Sequence, residues 1–398
     1  SVDAKLVSDS TKVSPNSFQT VNTSFEKMKI PLLKRENEKR LWLLPALAWN
    51  NYDKTQLGVI IGLEKKNKYS FLAIPMYGLG SRNLTGLIHG KYQFTSPKIK
   101  LWELNLNAKR FSYLLFPEDL TYNRIQGKIR FVPELSIQGK LDFSITSYYI
   151  WQEYILNGRQ TKAFNIHELG ASYANEKETY SFKTTLTAEF NNTYGQINWT
   201  NNLKFHYLQQ AENALYIRSF VGGFLYNTRA NSLIDPPLPI FQLGGMSNSG
   251  IYWLQKDYTF NDFYLDRNAQ DNFLQRQVAN SAGGFKSVMS IGNSKLVMAS
   301  LNVRSDLLIP LRIKRWINLQ AFVNAAISLN KGLKASLFAE GGISLLFLDE
   351  CIGFHAPFAT TSNIQLNQQT AYGIERSEWT KRITFSIDFI KLKNKISE

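Results

Sequence analysis

The chain is poor in the residues most chemistry needs. Its 398 residues include one cysteine and four histidines. The lone thiol, Cys351, excludes an intramolecular disulfide framework and a thiolate metal cluster, and suits a small buried hydrophobe. His89, His206 and His355 stand apart from one another and from cysteine, so no metal-ligand spacing arises. His167-Glu168 opens like a zinc-peptidase motif, but Ala171 stands where the second histidine belongs, and the segment alternates as a strand. Gly283-Gly284-Phe285-Lys286 lacks the strand-to-helix switch of a phosphate loop. Gly245-Met246-Ser247-Asn248-Ser249 breaks the serine nucleophile elbow at its last position. The expectation is no metal, no cofactor and no catalytic residue in this chain.

Two further shortages narrow the class. No apolar run approaches about 18 residues, which excludes transmembrane helices. Acids are outnumbered, 31 to 46, leaving a charge of +15. Yet lysine and arginine are spread along the chain. The densest group, Leu311-Arg312-Ile313-Lys314-Arg315-Trp316, follows Pro310 at an expected turn, so nucleic acid is not an expected partner. Ser1-Val2-Asp3-Ala4 carries no secretory signal, so an exported protein would be met here as a mature chain or a piece of a longer one.

What the chain has is alternation. Ser1 to Glu38 is polar and aperiodic and reads as a flexible leader. From residue 39 to 398 strand patterns follow one another. Trp102, Leu104, Leu106 and Ala108 alternate with Glu103, Asn105, Asn107 and Lys109. Val297, Ala299, Leu301 and Val303 oppose Ser300, Asn302, Arg304 and Asp306. At the end, Ile383, Phe385, Ile387 and Phe389 share one face, while Arg382, Thr384, Ser386 and Asp388 share the other. About sixteen strands of about 9–14 residues result, longer than the usual 5–6. Connections at 64–68, 96–98, 175–178, 209–213 and 348–350 are short; those at 111–120, 154–162, 228–293 and 360–379 are long. Aromatics reach 13 %, as girdles at two interfaces would require. The expected fold is an all-β transmembrane antiparallel barrel in a bacterial outer membrane, both termini periplasmic, with residues 228–293 between strands eleven and twelve.

Within that long connection, Asp257, Tyr258, Asp262, Asp266 and Arg267 mix acids, an aromatic and a base, and Gly283-Gly284-Phe285 follows. These are the candidates for a loop folded over the barrel mouth or a plug tucked into a polar lumen. Phe385, Ile387 and Phe389 are candidates for a terminal-strand assembly signal, which resembles that of outer-membrane barrels.

The stretch from Trp42 to Lys54, the run Ala73-Ile74-Pro75-Met76-Tyr77-Gly78, and Asp257 to Arg267 with Gly283 to Lys286 resemble the C-terminal barrel of Gram-negative zinc-aminopeptidase-like proteins. That barrel is related to the barrel-assembly and two-partner-secretion (surface antigen) superfamily. The resemblance implies a sixteen-strand barrel that anchors or exports a larger periplasmic or surface protein. It allows an upstream peptidase-like domain outside this chain. Implied partners are outer-membrane lipid and lipopolysaccharide, the barrel-assembly machinery, and neighbouring outer-membrane or periplasmic proteins. A gated pore or protein-translocation barrel is the alternative expectation, and a secreted all-β glycan-binding protein a third.

Overall fold

The computed structural model describes residues 34–36, 39–50, 53–65, 68–113, 120–134, 138–155, 159–207, 213–228, 239–244, 259, 273–279, 282–307, 317–388 and 391. Among the described residues, seventeen strands make one antiparallel sheet. A three-residue strand, β1 (Lys34–Glu36), precedes sixteen others. These are β2 (Lys39–Asn50), β3 (Lys54–Lys65), β4 (Tyr69–Gly78), β5 (Leu84–Ser96), β6 (Ile99–Tyr113), β7 (Leu120–Pro133), β8 (Lys140–Ile155) and β9 (Arg159–Glu176). Then come β10 (Tyr180–Phe190), β11 (Tyr194–His206), β12 (Ala214–Asn227), β13 (Val297–Asp306), β14 (Ile317–Leu329), β15 (Ser336–Phe347), β16 (Ile352–Thr360) and β17 (Thr384–Ile387). The chain divides into two compact units. One is built on Phe25–Ser172 and Thr187–Asn192, the other on Tyr173–Leu186 and Thr193–Glu398.

The strands form where the alternation runs, and their faces follow from it. In β2, Leu41, Leu43, Leu47 and Trp49 are exposed while Trp42, Leu44, Ala46 and Ala48 are partly covered. In β6, Leu104 and Leu106 are exposed while Glu103 and Lys109 are buried. In β14 and β15, Val323, Ile327, Leu337 and Ile343 are exposed against buried Gln320, Asn324, Ser328, Glu340 and Ser344. A water-soluble sandwich does the reverse. One face of this sheet is apolar and uncovered; the other carries the hydrogen-bonding side chains.

Each unit ties its polar face together. In the first, Asp53 is fully buried and accepts from Ser81 Oγ (2.5 Å), Ser112 Oγ (2.6 Å) and Gln56 Nε2 (3.0 Å). Glu103 accepts from Gln93 and Asn105 and pairs with Lys91, while Arg130 clasps Asp142 through Nε and Nη2. In the second, Asp306 accepts from the Ala214 amide (3.0 Å), Asn318 (2.9 Å) and Gln320 (2.6 Å), joining the starts of β12 and β14 to the end of β13.

Several expectations are corrected. The sheet is large and antiparallel but does not close into a transmembrane barrel. The closing strand shows why the pattern misled. Alternation predicts ten residues from Lys381 to Ile390. The structure gives four, preceded by a 3-10 turn at Trp379–Arg382. Four register pairs join β17 to β16, from Ile352↔Ile387 to His355↔Thr384. With closure go the outer-membrane location with periplasmic termini, and the roles of anchor, export module, pore and translocator that rested on it. The long loop expected at 154–162 is a three-residue connection between β8 and β9, which are 16 and 18 residues long. Residues 360–379 are not a plain loop: helix α1 (Ser362–Tyr372) lies there, ended by Gly373 at φ 60°. Among the described residues no helix is long and apolar enough to cross a membrane.

Candidate functional site

The long connection between β12 and β13 returns to the sheet at residues 273–294, and there it is clamped. A polar row crosses five strands in register, Arg218↔Asn302, Asn302↔Asn324, Asn324↔Glu340 and Glu340↔Thr360. Directly opposed residues on one face lie within about 5.5 Å, so the row is a continuous ladder. Asn302 Nδ2 donates to Asn324 Oδ1 (3.0 Å), and Asn324 Nδ2 to Glu340 Oε1 (2.6 Å).

The connection lies across this ladder. Glu340 accepts the backbone N–H of Lys286 (2.6 Å) and of Ser287 (2.8 Å). The Ala282 carbonyl accepts from Arg218 Nη1 (3.0 Å) and Ser300 Oγ (2.9 Å), and the Gly283 carbonyl from Asn302 Nδ2 (2.7 Å). Thr384 Oγ1, on β17, donates to the Lys286 carbonyl (2.6 Å), and the Val278 amide donates to the Phe385 carbonyl (2.7 Å). From α1, Asn367 accepts the Ser290 amide (3.0 Å). A non-strand backbone at a sheet surface has amides and carbonyls to satisfy, and here side chains of β12, β13, β15, β17 and α1 satisfy them.

Apolar packing completes the clamp. Phe285 is 1 % exposed in a cluster with Phe220, Leu243, Met298, Phe338 and Ile364. Gly284 has φ +72°, and a Cβ there would lie 2.6 Å from Asn302 Oδ1. A Cβ on Gly283 would meet the Leu243 backbone at 2.4 Å. Both glycines are therefore required by close approach, and Gly284 by conformation as well. Lys286 is the charged member. Burial, reinforced by Arg304 and Arg218 and opposed by Glu340, lowers its ammonium pKa to about 8.

Of the candidates read from the sequence, Gly283, Gly284 and Phe285 come together in this clamp. Asp257, Tyr258, Asp262, Asp266, Arg267 and Phe389 lie outside the described residues. Phe385 is buried, stacking on Phe273 at 5.1 Å, and Ile387 is half-buried at the end of β17. The ladder residues were missed as a set. Their only signal is a polar side chain at the matching place in successive strands, which needs the register to be seen. Among the described residues no group of three or more His, Cys, Asp or Glu could hold a metal ion.

No family model matches the chain, and no curated protein matches it. The solved structures similar to the chain include two at low scores. The first is BamA from Haemophilus ducreyi lacking POTRA domains 1–3, at 9 % identity and TM-score 0.49, over 83 % of this chain and 68 % of that one. The second is a copper transporter, OprC, at 10 % identity and TM-score 0.38, over 81 % and 59 %. The expected membership among zinc-aminopeptidase-like and surface-antigen barrels is thereby corrected: only a distant likeness between large antiparallel sheets remains.

Proposed function

We propose that the apolar face of the sheet is covered by the hydrocarbon chains of lipid, and that the protein works as a lipid-binding β-sheet with no chemistry of its own. One observation carries this reading: large apolar side chains are exposed strand after strand on one face, with hydrogen-bonding side chains on the other. Leu47 and Leu225 are 76 % and 70 % exposed. Exposed apolar patches beyond a few hundred Å² mark surfaces that something covers. Covering one such side chain contributes about 1.5–3 kcal/mol.

Lipid is the occupant chosen because of an aromatic row. Phe94, Trp102, Phe131 and Phe143 stack in sequence across β5 to β8, with centroids 5.8, 5.3 and 5.0 Å apart. They face the same way as Leu104, Ile129 and Ile145, at one level along the strands. Aromatics gathered at one depth beside aliphatics suit the boundary between acyl chains and headgroups.

Trp49 and Trp199 are exposed on this face, 66 % and 50 %. Lipids brominated along the acyl chain should quench their fluorescence, and W49F and W199F should each remove part of the quenching. A protein that stays monodisperse in water without detergent, and is not quenched, overturns the reading.

A further inference from the structure

We infer that the cavity between the end of β16, helix α1 and the turn before β17 binds the phosphate group of an amphiphile. It measures about 370 Å³ and is lined by Phe358, Thr360, Gln365, Arg376, Trp379 and Arg382 among others, with no carboxylate side chain in its wall among the described residues. This proposal rests on the lipid reading above and names the kind of headgroup such a lipid would bring.

Two donors in the wall are buried without a partner. Arg382 is 4 % exposed; its Nη2 donates to the Glu375 carbonyl at 3.3 Å, but its Nε has no hydrogen-bond partner. Thr360 Oγ1 is likewise buried and unpartnered. Leaving such groups unsatisfied costs about 1–3 kcal/mol each, more for a charged one. Arg376 supplies a second guanidinium at the exposed rim. The nearby acid does not compete: Glu378 is held by Lys381 at 2.6 Å and accepts the Glu375 amide at 3.0 Å. Two guanidinium groups and a hydroxyl around one space suit a tetrahedral oxyanion, which the planar fork of arginine binds through paired N–H donors.

The remaining wall is apolar. Trp379 and Phe358 are 56 % and 55 % exposed, and Phe358 lies on the same side of β16 as exposed Phe354. The cavity thus opens where the apolar face meets a cationic end. A ligand that fills both has a phosphate head and a hydrocarbon tail.

The test uses the full chain in neutral detergent and follows binding by calorimetry. Three probes are compared: didecanoyl phosphatidic acid, didecanoylglycerol and inorganic phosphate. Phosphatidic acid should bind one to one and the uncharged diacylglycerol should not. Arg376→Ala, at an exposed position, should weaken phosphatidic acid by about 10- to 100-fold. Arg382→Lys, which keeps charge but moves the donor, should weaken it as well. Absence of phosphatidic acid binding, or affinity unchanged in both variants, overturns the site. Inorganic phosphate binding as tightly as phosphatidic acid overturns the amphiphile and leaves a soluble phosphate ester as the ligand class. Quenching of Trp49 and Trp199 by brominated lipid, measured alongside, separates the two readings. If quenching persists while phosphatidic acid fails, the cavity proposal alone falls. If phosphatidic acid binds without quenching, the lipid-covered face falls.

Discussion

Removing the Glu340 carboxylate should release the segment that crosses the polar ladder. Three donors converge on it: the Lys286 amide at 2.6 Å, the Ser287 amide at 2.8 Å and Asn324 Nδ2 at 2.6 Å. Glu340 is 2 % exposed, so water does not replace it without rearrangement. Asn324 also accepts from Asn302 and can reorient, which leaves the two backbone amides as the groups stranded by Glu340→Ala. At about 1–3 kcal/mol for each buried unsatisfied donor, discounted for relaxation, the docked segment should lose about 2–4 kcal/mol. In hydrogen exchange read residue by residue, the Lys286 and Ser287 amides should exchange about 30- to 1,000-fold faster, while β13 to β15 amides away from the segment keep their protection. Glu340→Gln retains one acceptor oxygen and should show a smaller effect at the same two amides. If both amides exchange at the wild-type rate in a folded Glu340→Ala protein, the carboxylate does not hold the segment and the clamp as described is wrong.

Gly284 and Gly332 have nearly the same positive φ, +72° and +76°, but a Cβ meets Asn302 at the first and nothing within 4 Å at the second. Gly332→Ala should therefore cost about 1–2 kcal/mol of backbone strain alone, and Gly284→Ala distinctly more, as read by thermal unfolding; equal losses would mean that Asn302 yields freely. Lys286 titrates at about 8 in the folded protein against an ordinary 10.5. A lysine with a lowered folded pKa binds fewer protons folded than unfolded between those values, so stability should rise with pH from about 8 to 10.5 and be flat for this group below 8. Lys286→Met should remove that rise, and a pH profile unchanged by the substitution would place the effect elsewhere. Asp306→Ala strands the Ala214 backbone amide and the Asn318 side-chain amide, while Gln320 Nε2 keeps Glu350 at 3.2 Å. It should destabilise by about 2–4 kcal/mol in denaturant titration, with a loss under about 0.5 kcal/mol showing that water satisfies the site.

The strands were legible because their signal is local. Period-two alternation in Trp102 to Lys109 states which residues share a face, and the structure keeps that division, with Glu103 and Lys109 buried and Leu104 and Leu106 exposed. The long interval between β12 and β13 was legible for the same reason, as a place where alternation stops. Gly283-Gly284-Phe285 could be singled out, but not what it touches. Asn302, which holds the Gly283 carbonyl, and Arg218 and Glu340, which hold the residues on either side, are brought together with Asn324 by the registers of four strands, and a slip of one residue in any of them would turn a side chain to the other face. Helix α1 was missed because Ser362–Tyr372 is mostly polar, with only Ile364 and Gln368 buried, so no apolar stripe marks it.

The extent of pairing is a different kind of property from face. A strand's own residues decide which side chains are apolar, but how far the strand pairs depends on the backbone around it. The residues from Lys381 to Ile390 alternate, yet Trp379–Arg382 turns as a 3-10 helix that buries Arg382, and pairing begins only at Thr384. What draws the chain out of the sheet there is local: the Arg382 guanidinium reaches the Glu375 carbonyl, Lys381 reaches Glu378, and Thr384 is held by the docked segment at Lys286. The same contacts that shorten the last strand build the cationic cavity and the clamp. Both candidate sites in this part of the chain therefore exist because an alternating sequence is diverted, just before its end, from pairing to side-chain hydrogen bonding.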